Sequence, residues 1–193
     1  MPYFTKQEAK AAAQAARSES TVGLESYDSI LNESHRMYAS IDSFDIFLSH
    51  SMQDSEIVFG VMQLLKQLGY KVYVDWVIDK KLSREEVNSE TAKILKSRMR
   101  QSRSLLYLAT SNSSDSKWMP WELGYFDGIK PECIAVLPVL DSADSYFNGQ
   151  EYLGLYPKVK KSRFDNEVLI FDGVKRWSTL SKLTKGNPQW NLL

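Results

Sequence analysis

The apolar positions of the chain follow two regimes that meet near residue 43. Before that point the pattern is helical. Thr5 and Glu8 have the spacing of a capping box, and the alanine-rich run to Ala16 has high helix propensity. A second stripe, Leu24, Tyr27, Leu31 and Tyr38, continues near the helical period. After it, short apolar runs alternate with helical stripes. FDIFLS (44–49), YKVYVDW (70–76), SLLYLA (104–109), CIAVLPVL (133–140) and VLIF (168–171) read as strands. Between the first two, Asp54 can cap a helix with the stripe Ile57, Val61, Leu64, Leu65 and Leu68, closed by Gly69. Ser83 and Glu86 repeat the capping-box spacing ahead of Val87, Ile94, Leu95 and Met99. Residues 118–128 form a third helix, with Pro120 tolerated in its first turn.

Strands separated by helices require right-handed parallel crossovers and a sheet covered on both faces. The expected architecture is therefore α/β and flavodoxin-like, a five-stranded parallel sheet with helices on both faces. It divides into an N-terminal helical arm (1–42), a central domain (43–173) and a C-terminal tail (174–193). The arm is expected to pack on the domain or on another subunit. Such sheets bind ligands beyond the carboxyl ends of their strands, at the topological switch point. Here those ends lead into residues 49–53, 77–82, 110–117 and 141 onward.

Composition narrows the partners. Lysine plus arginine equals aspartate plus glutamate, 24 against 24, so no net charge points to nucleic acid or anionic lipid. No apolar run approaches a membrane span or a signal-peptide core, which predicts a cytoplasmic protein. The single cysteine, Cys133, lies in an apolar run and reads as a buried, inert thiol. With His35 and His50 in no ligand spacing, no metal site is expected.

The candidate chemistry lies in residues 116–128, SKWMPWELGYFDG. At helical spacing Trp118, Glu122 and Phe126 share a face, with Tyr125 nearby. Aromatic walls offer a stacking surface for a flat ring. A carboxylate beside them can stabilise developing positive charge, which suits cleavage of a glycosidic bond through an oxocarbenium-like transition state. Ordinary glycosidases need a second carboxyl group to protonate the leaving group. A nicotinamide ribosyl bond does not, because the pyridinium leaves as a neutral base, so one carboxylate is enough. A structural reading stands equally beside this one: Glu122 caps a backbone amide while the tryptophans fill core.

FDIFLSHSMQDS, YKVYVDW and the segment ending SKWMPWELGYFDG together resemble the signature segments of the Toll/interleukin-1 receptor (TIR) domain in its bacterial form. The resemblance covers roughly residues 42–173. It implies the flavodoxin-like fold and places the catalytic glutamate of NAD-cleaving members at Glu122, with Trp118 four residues before it. Met119 stands where many members have cysteine, and residues 77–82 lack the glycine often found in the family's BB loop. The resemblance further implies NAD+ as substrate, not as a bound cofactor. It also implies self-association through TIR domains and a linear or cyclic ADP-ribose signal read by a downstream effector in antiphage defence, as in Thoeris-type systems. Substrate-binding candidates are Ser49, His50 and Ser51 at the end of the first strand. Asp75 and Trp76 at the end of the second, Asp79 in the loop after it, and Trp118 complete the set.

The main alternative is a non-enzymatic TIR interaction module. A phosphoacceptor receiver domain shares the fold but needs an aspartate ending the third strand and an acidic pair after the first. The chain has Ala109-Thr110-Ser111 and Ser49-His50 there. A nucleoside-deoxyribosyltransferase-like enzyme also sets a glutamate against a glycosidic bond. A redox use of NAD is disfavoured, since no G-x-G-x-x-G follows a strand.

Overall fold

The computed structural model of the protein describes residues 1–19, 43–75, 88–164, 167–173 and 175–193. The sheet is built from β1 (Phe4–Thr5), β2 (Phe44–Ser49), β3 (Val72–Tyr73), β4 (Ser102–Ala109) and β5 (Ile134–Leu140). It continues through β6 (Lys158–Lys161), β7 (Val168–Phe171), β8 (Arg176–Thr179) and β9 (Asn191–Leu192). The α-helices among the described residues are α1 (Lys6–Glu19), α2 (Ser55–Gln67), α3 (Ser89–Gln101), α4 (Trp118–Ile129) and α5 (Leu180–Leu183). Strand order is β3-β2-β4-β5-β6-β7-β8-β9, with β1 added on β5. Pairing from β3 to β6 is parallel, as the alternation of strands and helices requires.

The chain leaves β2 toward β3 on one side and later returns to β4 on the other. The switch point therefore lies between Ser49 of β2 and its register partner Tyr107 of β4. The central strands are buried almost throughout, which is why they read as near-continuous apolar runs and not as alternating ones.

Local signals account for several helix ends. The amide of Thr5 donates to the Glu8 carboxylate at 2.8 Å and the amide of Glu8 to the Thr5 hydroxyl at 3.1 Å, the expected reciprocal box. Gly69, at φ +89°, ends α2 and donates its amide to the Lys66 carbonyl. The capping box expected at Ser83 and Glu86 lies outside the described residues. The helix carrying Leu95 and Met99 begins at Ser89, where Asn88 accepts the Thr91 amide at 2.8 Å.

Several expectations are refined. Residues 1–19 join the central core: β1 pairs with the end of β5, and α1 lays Ala9 and Ala13 on α2. The stripe Leu24, Tyr27, Leu31 and Tyr38 lies outside the described residues. The expected strand at 168–171 is present as β7, but it runs antiparallel to β6, which takes the fifth parallel position. The sheet is thus larger than five strands. Residues 175–193 carry β8, α5 and β9, with Leu180 and Leu183 of α5 fully buried. Direction is set by the crossover, and the short turn from β6 to β7 leaves no length for a helix.

Candidate active site

Glu122 is one turn into α4, on the face turned to the sheet, and is completely buried. One partner is the last residue of β2. The Ser49 hydroxyl donates to Oε2 of Glu122 at 2.6 Å, and Ser49 is equally buried. An ionised carboxylate only accepts, so the donor is the serine. The amide of Met119 is taken up by the Ser116 hydroxyl at 3.3 Å, which covers the start of the helix.

The aromatic positions of α4 divide between two surroundings. Trp118 and Phe126, spaced by four on either side of Glu122, are buried in the core. Trp121 and Tyr125 are half-buried and stack at 5.9 Å with rings 15° apart. Lys96 of α3 lies over both rings, 5.7 and 5.5 Å from their centres, and Arg100 lies over Tyr125 at 5.9 Å. Trp118 meets Trp121 edge to face at 5.4 Å, linking the two groups.

Around the switch point three further polar groups are fixed. His50 places Nδ1 2.8 Å from the Leu48 carbonyl, which can only accept, so this nitrogen carries a proton. Its Nε2 lies 3.2 Å from Oδ1 of Asp75, and both side chains are buried. Ser51 is buried and accepts the Gln53 amide at 3.4 Å, opening the short turn Met52–Asp54. Trp118 begins the helix one turn before Glu122, whereas Trp76 and Asp79 lie outside the described residues.

Asp54 does more than its sequence context implies. It occupies the N-cap position of α2, yet its side chain makes no capping bond. Its carboxylate instead crosses to the loop after β4, accepting from the Thr110 hydroxyl at 2.5 Å and the Asn112 side-chain amide at 2.8 Å. It thereby ties together the loops that follow β2 and β4. Tyr107 was likewise hidden in an apolar strand, its hydroxyl being the one clue. Burial pushes its phenol well above the ordinary range, with contributions from Tyr152 and then from the charge of Glu122. Its hydroxyl donates to Oε1 of Gln150 at 3.2 Å, an oxygen that also accepts from Tyr152. Beside this cluster, at the carboxyl ends of β4 and β5, Thr110, Ser111, Asp141 and Phe147 help line a cavity of about 270 Å³.

Among the described residues no cluster of three or more histidine, cysteine or acidic side chains could hold a metal. No helix among them is long and apolar enough to cross a membrane.

No family model matches the chain. Two curated proteins do. A Bacillus cereus (strain MSX-D12) protein, provisionally named 3' cyclic ADP-D-ribose synthase ThsB', is 50% identical over 153 residues. The match spans 77% of this chain and 79% of that one. A Cytobacillus dafuensis protein, provisionally named cyclic ADP-D-ribose synthase TIR2, is 36% identical over 83 residues, 42% of this chain and 22% of that one. With half of its residues identical across most of both lengths, and a doubly wound sheet presenting a buried glutamate at its switch point, the chain belongs to the Thoeris-type bacterial TIR proteins.

Proposed function

We propose that the protein cleaves the nicotinamide–ribosyl bond of NAD+ and closes the remaining ADP-ribose into a cyclic product, with Glu122 as the carboxylate at the reacting ribose. The observation that carries this reading is Glu122 itself: a fully buried carboxylate, fixed by Ser49 at the switch point of the sheet. In the reaction the C1′–N bond breaks and its electron pair leaves with nicotinamide, which departs neutral. Positive charge develops on the ribose ring, and a fixed negative charge in a water-poor site stabilises it. A hydroxyl of the same molecule then bonds to C1′ and loses its proton, for which Glu122 is a suitable acceptor. The name of the Bacillus relative supports a ribose 3′ hydroxyl in that role. Water in its place would give linear ADP-ribose.

The same reading assigns the product to a downstream effector in antiphage defence. It also includes self-association, since enclosing the ribose excludes water and favours attack by a hydroxyl of the substrate. The deciding experiment incubates concentrated purified protein with NAD+ and resolves the products by mass. Nicotinamide should appear together with a species lighter than ADP-ribose by one water. Release of linear ADP-ribose alone would make the protein a hydrolase. Absence of nicotinamide would leave the interaction-module reading in its place. Turnover per subunit should rise with protein concentration, and constant turnover from a strict monomer in light scattering would rule out the self-association.

A further inference from the structure

We propose that Ser49 is a positioning residue for Glu122, governing turnover by holding that carboxylate and not by touching NAD+. The inference rests on the reading of Glu122 as the carboxylate at the reacting ribose. Both side chains are wholly buried, and the Oγ–Oε2 separation of 2.6 Å lies in the short range of charge-assisted O–H···O⁻ bonds. The serine has a single hydroxyl proton and gives it to Glu122, so it has none to donate to a ligand while that bond stands.

The backbone explains why serine suits this place. In the parallel register Ser49 stands opposite Tyr107, so the two side chains emerge on the same face of the sheet. Tyr107 is large and its hydroxyl engages Gln150. The residue at 49 must therefore be short enough to let α4 approach β2 and must still carry a donor. Serine is the smallest side chain that does both.

The consequence for chemistry follows from the burial. A carboxylate removed from water keeps its charge only where donors face it. Without the serine hydroxyl, Glu122 loses a charge-assisted bond and is held less firmly in place and in its charged form. Either change weakens the negative charge at the ribose while leaving the surfaces that bind the rest of NAD+ in place.

The test compares kcat and KM for NAD+ in S49A, S49C, E122Q and the S49A/E122Q double variant, with folding of each followed by circular dichroism. S49C is nearly isosteric but a far weaker donor, so it carries the test even if S49A does not fold. Both serine variants should lose about 10- to 100-fold in kcat with KM nearly unchanged. In the E122Q background, S49A should cause no further loss, because no carboxylate remains to be held. A folded S49A or S49C protein with wild-type kcat overturns the inference. So does a loss confined to KM, or a loss that multiplies that of E122Q. Wild-type turnover by E122Q overturns the underlying reading of Glu122, so the two failures are told apart.

Discussion

The backbone of Ala9 in α1 occupies the space where a side chain on Gly60 of α2 would begin. A Cβ added at Gly60 would lie 1.8 Å from the Ala9 carbonyl oxygen, far inside any tolerated contact. The glycine is needed for this close approach and not for its backbone angles. The two helices meet through Ala9 and Ala13, so both contribute small residues to the seam.

G60A should therefore push α1 off α2. Overpacking of this kind costs about 3 kcal/mol, which corresponds to a fall in Tm of roughly 6–12 °C for a chain of this size. Thermal melting measures the loss. Hydrogen exchange should place it in residues 6–19, and a variant that melts like the wild type would mean that the helices do not touch here.

Removing the Asp54 carboxylate should loosen both lips of the crevice. D54A leaves the Thr110 hydroxyl and the Asn112 amide without their acceptor, at a cost of roughly 1–3 kcal/mol. D54N retains one acceptor oxygen and should fall between D54A and the wild type. If Asp54 were only a helix cap, D54S would restore full stability, since serine caps equally well. The crosswise bonds predict that it does not, and denaturant melts of the three variants decide.

Trp118 should prove expensive to remove. It is nearly completely buried beside Trp121, and truncation of such a side chain costs about 3–5 kcal/mol. W118F keeps most of the packing and is the better probe of chemistry. Its NAD+ turnover should drop by more than its stability explains if the indole walls the site. Normal specific activity of folded W118F would make Trp118 a packing residue alone.

Cys133 should resist modification in the native state. Burial raises its thiol above the ordinary range, outweighing the opposing pull of Lys130, and little of the residue meets solvent. A disulfide-exchange reagent at neutral pH should titrate almost nothing in the native protein. After unfolding it should titrate one thiol per chain. Rapid native labelling would contradict the buried placement.

The parts of this fold that were legible in the sequence are those set by short-range chemistry. The Thr5–Glu8 box, the Gly69 closure of α2 and the strand at Phe44–Ser49 each depend on neighbours in the chain. The direction of Val168–Phe171 does not, because the same four apolar residues suit either orientation and only the pairing with β6 decides. At the site, the four-residue spacing of Trp118, Glu122 and Phe126 correctly put them on one buried face. Trp121 and Tyr125 share the composition of that face but turn to the cations of α3, which helical spacing alone does not reveal. The bond from Ser49 to Glu122 joins positions 73 apart, and the switch point that unites them exists only once β4 has paired with β2. The local context of Asp54 fits a helix cap. Its actual partners arrive from the loop after β4.

The seating of β1 also dictates when the protein can be completed during synthesis. Phe4 pairs with Val139, the Lys161 amide donates to the Pro2 carbonyl, and Glu8 forms an ion pair with Lys161. These residues leave the ribosome well before the partners they pair with, and must wait for them. Until then α1 has α2 to rest on, through the seam at Gly60, but β1 has no strand to join. Closure over such sequence separation is slow, because the entropy of the long loop is lost before the pairing compensates for it. The nascent chain thus carries an unpaired strand, tethered beside a half-built sheet, until β5 and β6 have emerged.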